Sequence, residues 1–393
     1  MKEFAAIVEA LGRNPARAVL ATLVSVEGSS YRRPGSRMLI LDDGTTVGTL
    51  SGGCLEAEIC ENAFAWTAQG PVLKSFDISG DSESAMDLVG WGSGCNGVLG
   101  VLLEPVAAKA PLLRAIQQQL DARKSCAVAT LFSASGGMGS AIGSTLVICG
   151  DNISGDLSAP LRNAVGQDAL AALACGHSRN FTYEIPGGMA QVFVEVLKPP
   201  VSLLLFGAGS GASAVAQTAR QLGWRVTVLD KRPVEQVRPL FPHADSVLEL
   251  DGVSIPGELI DEQTAAVVMT HHFLDDVAIV GALLHTPVRY VGLLGGRTRA
   301  KRLSAELARD FPAAKLGRLH SPVGLDIGAV DPDEIAVAIV AEIIAALRGR
   351  SGGSLRERTG AMHFDTHPIK RHVNAVAAGN RAPEYVVPMG LKW

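Results

Sequence analysis

The stretch VSLLLFGAGSGASAVAQTARQLGWRVTVLDKRP, residues 201–233, determines the predicted fold of the second half of the chain. An apolar run leads into a glycine turn, a helix-forming segment and a second apolar run. Gly207, Gly209 and Ala212 fit the pattern G-x-G-x-x-A, and Asp230 ends the second run about 20 residues further on. This order predicts a strand, a tight turn, a helix and a parallel strand, which is the beginning of a Rossmann-like unit.

Further apolar runs alternate with helix-forming segments, so we assign residues 200–350 to a Rossmann-like domain with a doubly wound parallel sheet. His271 follows one of these runs, at the edge where such sheets bind ligands, although a polar loop before a helix explains it equally well. Because Arg232 follows Asp230 closely, the pattern leaves the choice between NAD and NADP open. The candidate nucleotide-binding residues are Gly207, Gly209, Gly211, Asp230, Arg232 and His271.

Composition limits the classes of protein that the chain can belong to. Of 393 residues, 47% are hydrophobic and 19% are charged, which provides for a sizeable core. A net charge of −4 without a basic stripe argues against nucleic acid as a partner. No apolar run has the length of a membrane span, so we expect a cytoplasmic protein whose six cysteines remain thiols. No CxxC pair occurs, which argues against a structural zinc site.

The first half of the chain contains one pattern twice. AVLATLVS at 18–25 matches CAVATLFS at 126–133, and GSRMLILDD at 35–43 matches GSTLVICGD at 143–151. GCNGVLGVLLEP at 94–105 is aligned with GMAQVFVEVLKP at 188–199. We therefore predict a duplicated α+β unit, with a first copy at residues 1–110 and a second at 111–199. The polar segment 351–393 is expected to be a flexible or partner-bound tail.

Cys54 stands in TLSGGCLEAEI, residues 49–59, directly after two glycines and before a helix-like run. The second copy has no cysteine at the positions of Cys54 and Cys95, although it keeps the strand pattern. A small buried thiol that fills a gap is the plain alternative. The asymmetry between the copies favours a reactive or ligating Cys54 with Cys95 as its partner, because a helix N-terminus stabilises a thiolate.

Polar groups around Cys54 suggest an anion site. The backbone N–H groups of residues 51–55 could hold a phosphate at the start of the helix. The candidate residues of this loop are Ser51, Gly52, Gly53 and Glu56. Upstream, Arg32, Arg33 and Arg37 surround a Pro-Gly turn, and arginine suits bidentate binding of phosphate or carboxylate. A solvated hairpin tip explains these arginines equally well.

The chain resembles the XdhC/CoxI family of accessory factors for molybdenum hydroxylases. The resemblance extends to about residue 348. Many members of the family have histidine at the position of Ser210 and serine at the position of Gly296. It rests on segments 28–40 (GSSYRRPGSRMLI), 48–59 (GTLSGGCLEAEI), 92–105 (GSGCNGVLGVLLEP), 206–233, 267–272 (VVMTHH), 290–299 (YVGLLGGRTR) and 324–343 (GLDIGAVDPDEIAVAIVAEI).

The resemblance implies a protein that binds molybdenum cofactor (molybdopterin), shields it during sulfuration and helps to insert it into a xanthine dehydrogenase-like client. It implies a cysteine desulfurase as the sulfur donor. We also expect a homodimer and a carrier without turnover of its own. Two enzymatic alternatives remain: an NAD(P)-dependent oxidoreductase that uses the Rossmann domain, and a sulfurtransferase that carries persulfide on Cys54.

Overall fold

The computed structural model describes residues 2–13, 15, 17–53, 55–78, 97–136, 141–159, 161–185, 188–359 and 368–373. The chain forms two compact units. The first comprises residues 1–199 together with 363–393, and the second comprises residues 200–362.

The first sheet of the first unit is antiparallel, with strand order β3-β2-β1-β5-β4. One helix precedes the sheet and another connects two of its strands. The elements are α1 (Lys2–Gly12), β1 (Ala18–Gly28), β2 (Arg37–Leu41), β3 (Thr46–Gly48), α2 (Glu56–Trp66), β4 (Val72–Asp77) and β5 (Gly97–Pro105).

The second sheet has the order β8-β7-β6-β10-β9-β17. Its first five strands pair antiparallel, and the last strand pairs parallel with its neighbour. The elements are α3 (Ala110–Asp121), β6 (Cys126–Ala134), β7 (Thr145–Cys149), β8 (Asn152–Gly155), α4 (Leu161–Cys175), β9 (Arg179–Ile185), β10 (Gly188–Leu197) and β17 (Ile369–His372). A 3₁₀ turn, Val106–Ala108, precedes α3.

The two sheets share their strand order, apart from the added β17. They also share a β-bulge, at Val24 between β1 and β5 and at Phe132 between β6 and β10. Val24 and Phe132 pack in one cluster with Leu102 and Phe193, so each sheet contributes two side chains to this contact. These features are compatible with the predicted duplication.

The register corrects one part of the predicted alignment. The alignment of 94–105 with 188–199 matches Glu104 with Lys198. In the structure, Leu20 of β1 is opposite Glu104, and Val128 at the equivalent position of β6 is opposite Glu195. Glu104 therefore corresponds to Glu195. Apolar strand sequences tolerate such a shift, because only the ladder of hydrogen bonds determines which residues face each other.

Cys126 and Cys149 form a disulfide across β6 and β7, with 4.4 Å between their Cα atoms. The expectation that all six cysteines are thiols is wrong for this pair. The sequence cannot reveal the pair, because it depends on the register of two strands. In the described part of the chain, Cys60 and Cys175 are free thiols.

The segment predicted as a tail contributes β17 to the edge of the second sheet. Arg371 of β17 forms a bidentate ion pair with Asp168 of α4, with Nε–Oδ1 and Nη2–Oδ1 distances of 3.1 and 2.9 Å. Four residues carry too little pattern to predict a strand, so this pairing is visible only in the fold.

The second unit contains a parallel sheet with strand order β13-β12-β11-β14-β15-β16. This confirms the predicted doubly wound α/β fold. The strands are β11 (Ser202–Phe206), β12 (Arg225–Asp230), β13 (Ser246–Glu249), β14 (Thr264–Val268), β15 (Tyr290–Leu293) and β16 (Leu319–His320). The helices are α5 (Ser210–Gln221), α6 (Val234–Val237), α7 (Phe273–Leu284), α8 (Arg297–Leu307), α9 (Ala313–Leu316) and α10 (Pro332–Leu347). Three short 3₁₀ turns belong to the same unit: Arg238–Leu240, Gly257–Leu259 and Leu355–Glu357.

The central strands β11 and β14 are buried along their whole length, because helices cover both faces of the sheet. One core cluster joins α5 and α10 to the sheet, and a second joins α7 and α8 to its other face. Asp331 caps α10 by accepting hydrogen bonds from the N–H groups of Asp333 and Glu334. Within the described ranges, no helix is long and apolar enough to cross a membrane.

Candidate functional site

The loop between β3 and α2 is organised around the carboxylate of Glu56. Oε1 accepts hydrogen bonds from the Thr49 hydroxyl at 2.5 Å and from the N–H groups of Leu50 at 3.1 Å and Ser51 at 2.8 Å. Oε2 accepts from the Ser51 hydroxyl and from the N–H groups of Gly53 at 3.1 Å and Leu55 at 3.2 Å. The carboxylate therefore accepts hydrogen bonds from four backbone N–H groups and two hydroxyls of the loop that precedes the helix.

This arrangement corrects the predicted role of the loop backbone. The sequence predicts that the N–H groups of Ser51, Gly53 and Leu55 hold the phosphate of a ligand, but they bind Glu56 instead. Burial raises the pKa of Glu56, yet the hydrogen bonds from Ser51 and Thr49 outweigh it and lower the pKa to about 2. The loop thus contains its own anion.

Gly52 and Gly53 lie exposed at the tip of this loop. Gly53 has φ of +113°, which a residue with a side chain rarely adopts. A Cβ at either glycine would meet no heavy atom within 4 Å, so the glycines leave space at the tip. Cys54, the next residue, lies outside the described residues, and so does Cys95 with the whole segment 79–96.

The equivalent loop of the second sheet lacks this arrangement. The buried faces of α2 and α4 align Leu55 with Leu161, so Glu56 corresponds to Arg162. Arg162 Nη1 donates to the carbonyl of Gly155 at 3.0 Å. Among the described residues of the two loops, only the copy that carries Cys54 therefore has an acceptor that gathers the loop donors.

The three arginines predicted to bind anions have different surroundings. Arg37 is bound by both oxygens of Glu195 from β10, and Nη1 lies 2.9 Å from Oε1. Burial lowers the pKa of Arg37, but Glu195 outweighs it, so the pKa is raised and the guanidinium stays charged. Arg32 forms an ion pair with Glu3 and donates to Ser36 at 3.2 Å. Arg32 and Arg37 thus hold this part of the first unit together.

Arg33 remains the candidate anion binder. Its Nε is buried and has no hydrogen-bond partner among the described residues. Burial lowers the pKa of its guanidinium. A buried donor without a partner is costly in a native protein, which points to a ligand or a solvent molecule at this position.

A second cluster of predicted residues lies at the carboxyl edge of the parallel sheet. A pocket of about 350 Å³ is lined there by Gly207 and Gly209 after β11, Asp230 and Arg232 after β12, and His271 after β14. The structure therefore brings together most of the nucleotide-binding residues predicted in this domain. The pocket lies between β11 and β14, where the strand order reverses and doubly wound sheets bind ligands.

Glycine has a different physical effect at each position of this turn. Gly207 has φ of +96°, and a Cβ there would lie 2.7 Å from the carbonyl oxygen of Met269. A Cβ on Gly211 would lie 3.3 Å from Cε of Met269, so this glycine allows close packing of α5. At Gly209 the nearest atom to a Cβ is Nε2 of His271 at 3.8 Å, which leaves room in the pocket.

A buried carboxylate that the sequence did not single out supports the pocket. Asp276, 1% exposed, accepts hydrogen bonds from the Thr270 hydroxyl at 2.5 Å and from Arg299 Nε at 3.1 Å. It joins the end of β14 to the first turns of α7 and α8. From the sequence alone, Asp276 resembles any acidic residue in the first turn of a helix, because its partner Arg299 is distant along the chain.

In the described part of the chain, no group of three or more His, Cys, Asp or Glu could hold a metal ion.

Comparison with known proteins gives matches over both units. Residues 203–343 match the XdhC Rossmann domain, and residues 12–77 match the XdhC and CoxI family. A protein of Bacillus subtilis (strain 168), named as a probable xanthine dehydrogenase subunit, is 34% identical over 352 residues, which is 88% of this chain and 97% of the relative. The molybdenum cofactor insertion chaperone PaoD of Escherichia coli (strain K12) is 24% identical over 328 residues, 83% of this chain and 82% of the relative.

A solved structure agrees with these matches. The crystal structure of a xanthine dehydrogenase from Bacillus halodurans at 2.80 Å resolution has a TM-score of 0.71 and 33% identity. The similarity covers 90% of this chain and 98% of the crystallised one. From its two matched domains and the length of these similarities, the chain belongs to the XdhC and CoxI family.

Proposed function

We propose that this protein is an accessory factor that binds molybdenum cofactor, protects it during sulfuration and helps to insert it into a xanthine dehydrogenase-like hydroxylase. The similarity to a relative named as a molybdenum cofactor insertion chaperone supports the choice of cargo. The similarity to a relative named as part of a xanthine dehydrogenase supports the choice of client. The observation that carries the proposal for the site is the Glu56-centred loop, which the described residues form in the copy with Cys54 and not in the other copy.

Glu56 acts in this proposal as a positioning residue and not as a ligand. Its carboxylate is occupied by donors from Thr49, Leu50, Ser51, Gly53 and Leu55, so it has little capacity left for a bound molecule. The same bonds hold the residues on both sides of Cys54. Because its described residues are held in this way, the loop loses less conformational freedom when a ligand binds.

The remaining groups suit the chemistry of the cargo. Molybdopterin carries a phosphate and a dithiolene, and the bound cofactor supplies the molybdenum centre. Cys54 offers a soft thiolate for a soft molybdenum or sulfur centre. Arg33, whose buried Nε has no partner among the described residues, is proposed to bind the phosphate.

The test is purification of the full-length protein from molybdenum-replete cells, followed by metal and pterin analysis. Wild type should retain molybdenum and pterin in equal amounts, Cys54→Ala should abolish this retention, and Arg33→Ala should reduce it. Arg123→Ala is the matched control, because Arg123 lies after α3, outside the proposed site, and it should retain the cofactor. Wild-type protein that contains neither molybdenum nor pterin contradicts the proposal.

A cysteine desulfurase as sulfur donor and assembly as a homodimer belong to the same proposal. We assign cofactor binding to residues 1–110, a supporting role to residues 111–199, which lack counterparts of Cys54 and Cys95, and a nucleotide site to residues 200–350, followed by the segment 351–393. The sulfurtransferase alternative shares Cys54 but requires a persulfide on it. Mass spectrometry of the protein incubated with a desulfurase and cysteine separates the two, since a carrier alone leaves the Cys54 thiol unmodified.

A further inference from the structure

In the pocket of the Rossmann domain, the hydrogen-bond acceptor sites of the Asp230 carboxylate are occupied by donors of the protein itself. In sites that bind NAD, the acidic residue at the end of the second strand accepts hydrogen bonds from a ribose diol. Here Oδ1 of Asp230 accepts from the N–H of Arg232 at 3.0 Å and from its Nε at 2.8 Å. Oδ2 accepts from the N–H of Ala208 at 2.7 Å and from Arg232 Nη2 at 3.1 Å.

These four bonds fill the acceptor capacity of the carboxylate, which is about four sites. Burial raises the pKa of Asp230, but the hydrogen bonds from Arg232 and Ala208 outweigh it and lower the pKa. The charged form is therefore stabilised by the protein itself. A ribose diol could reach Asp230 only by displacing Arg232, which is also bonded to the carbonyl of Ala208 at 2.9 Å.

Two cations at the pocket, Arg232 and Lys231, keep N–H groups that the four bonds to Asp230 do not use. Arg232 is 46% exposed at its side chain, and its Nη1 makes no hydrogen bond to any described residue. Lys231 precedes it, with Nζ 2.7 Å from Oδ1 of Asp275. Both carboxylates that line the pocket, Asp230 and Asp275, are thus paired with a cation. Their negative charges are therefore compensated and do not repel a bound anion strongly.

We propose that this pocket binds a nucleotide whose ribose carries a phosphate, the NADP(H) class, and discriminates against NAD(H). A phosphate can accept hydrogen bonds from Arg232 Nη1 and Lys231 while the Asp230–Arg232 pair stays intact. A free diol finds its usual acceptor occupied. Arg232 is the residue that determines this specificity, and the proposal does not depend on binding of molybdenum cofactor elsewhere.

The test is isothermal titration calorimetry of the full-length chain with four probes: NADP⁺, NAD⁺, adenosine 2′-monophosphate and adenosine 5′-monophosphate. The two probes with a 2′-phosphate should bind at least about tenfold more tightly than their counterparts, because the counterparts lack one good charged contact. Equal affinity for NADP⁺ and NAD⁺, or no binding of any probe, overturns the proposal.

Variants assign the effect to Arg232. Arg232→Ala should weaken NADP⁺ and strengthen NAD⁺, because it removes the phosphate donor and frees Asp230. Arg232→Lys keeps the charge but cannot form the bidentate pair, so it should retain part of the preference for NADP⁺. Arg225→Ala, an exposed arginine at the opposite end of β12, should leave all four affinities unchanged. A preference that is the same in Arg232→Ala and wild type rules out Arg232 as its source, and melting temperatures check that each variant is folded.

Discussion

Ser51 and Glu56 are joined twice, since the N–H of Ser51 donates to Oε1 and its hydroxyl donates to Oε2. The first bond is 2.8 Å long, and Ser51 is only 7% exposed. A carboxylate that gathers backbone donors from both sides of Cys54 acts as an internal anion at the start of α2. The described residues of the loop are therefore held by a carboxylate of the protein itself.

Glu56→Gln should destabilise the protein by about 1–2 kcal/mol at pH 7, a reduced figure because the side chain is only partly buried. The pKa of Glu56 is lowered from 4.5 to about 2 in the folded state. Its contribution is therefore present above the unfolded pKa and is lost as pH falls from about 4.5 to about 2. Urea unfolding between pH 2 and 7 measures this loss, which should be smaller in the variant.

The control for this change is Glu61→Gln, an exposed glutamate on the same helix, which should unfold like wild type at every pH. If Glu56→Gln and Glu61→Gln give the same profile, the network around Glu56 does not contribute to stability.

Cys54→Ala should leave the free energy of unfolding nearly unchanged and should abolish cofactor retention. The second copy keeps its strands without a cysteine at this place, so packing is not the reason for the thiol. A cysteine that fills a core gap would cost on the order of 1 kcal/mol or more on removal. Thermal unfolding together with pterin analysis checks both parts. If the variant melts well below wild type and still binds cofactor, Cys54 is a packing residue of the core and not a cofactor ligand.

Arg37→Ala should destabilise the protein strongly, by about 3–5 kcal/mol, because it leaves the Glu195 carboxylate buried without a partner. The side chains of Arg37 and Glu195 are 11% and 9% exposed. Arg32→Ala is the comparison, since its pair with Glu3 is 24% and 44% exposed and should contribute less than about 1 kcal/mol. Chemical denaturation of both variants measures the difference, and similar losses contradict a structural role for Arg37.

Gly207→Ala should destabilise the second unit by roughly 3 kcal/mol or more, because it combines a positive φ with a contact of 2.7 Å to the Met269 carbonyl. Gly252→Ala tests φ alone, since Gly252 has φ of +64° and no atom within 4 Å of a Cβ. It should cost about 1–2 kcal/mol. If both variants lose the same free energy of unfolding, the contact between a Cβ at position 207 and the Met269 carbonyl is relieved at no energetic cost.

The parallel sheet could be predicted because its signals are local. Gly207, Gly209 and Asp230 are recognisable by spacing alone, and all three line the pocket. The roles of the loop donors could not be predicted in the same way. Glu56 and the N–H groups of Ser51 and Gly53 are close in sequence, but only the backbone path reveals that the carboxylate turns back onto them.

The sequence by itself determined the class of fold, the repeated pattern of the first half and most of the predicted residues that line the Rossmann-domain pocket. These features depend on turns, caps and periodicity within short segments, where neighbours along the chain are neighbours in space. Only the tertiary structure decided that Arg37 pairs with Glu195, that Cys126 is bonded to Cys149, and that Arg232 occupies the acceptors of Asp230. Each of these depends on strand register or on the direction of a side chain, and contacts between distant segments set both.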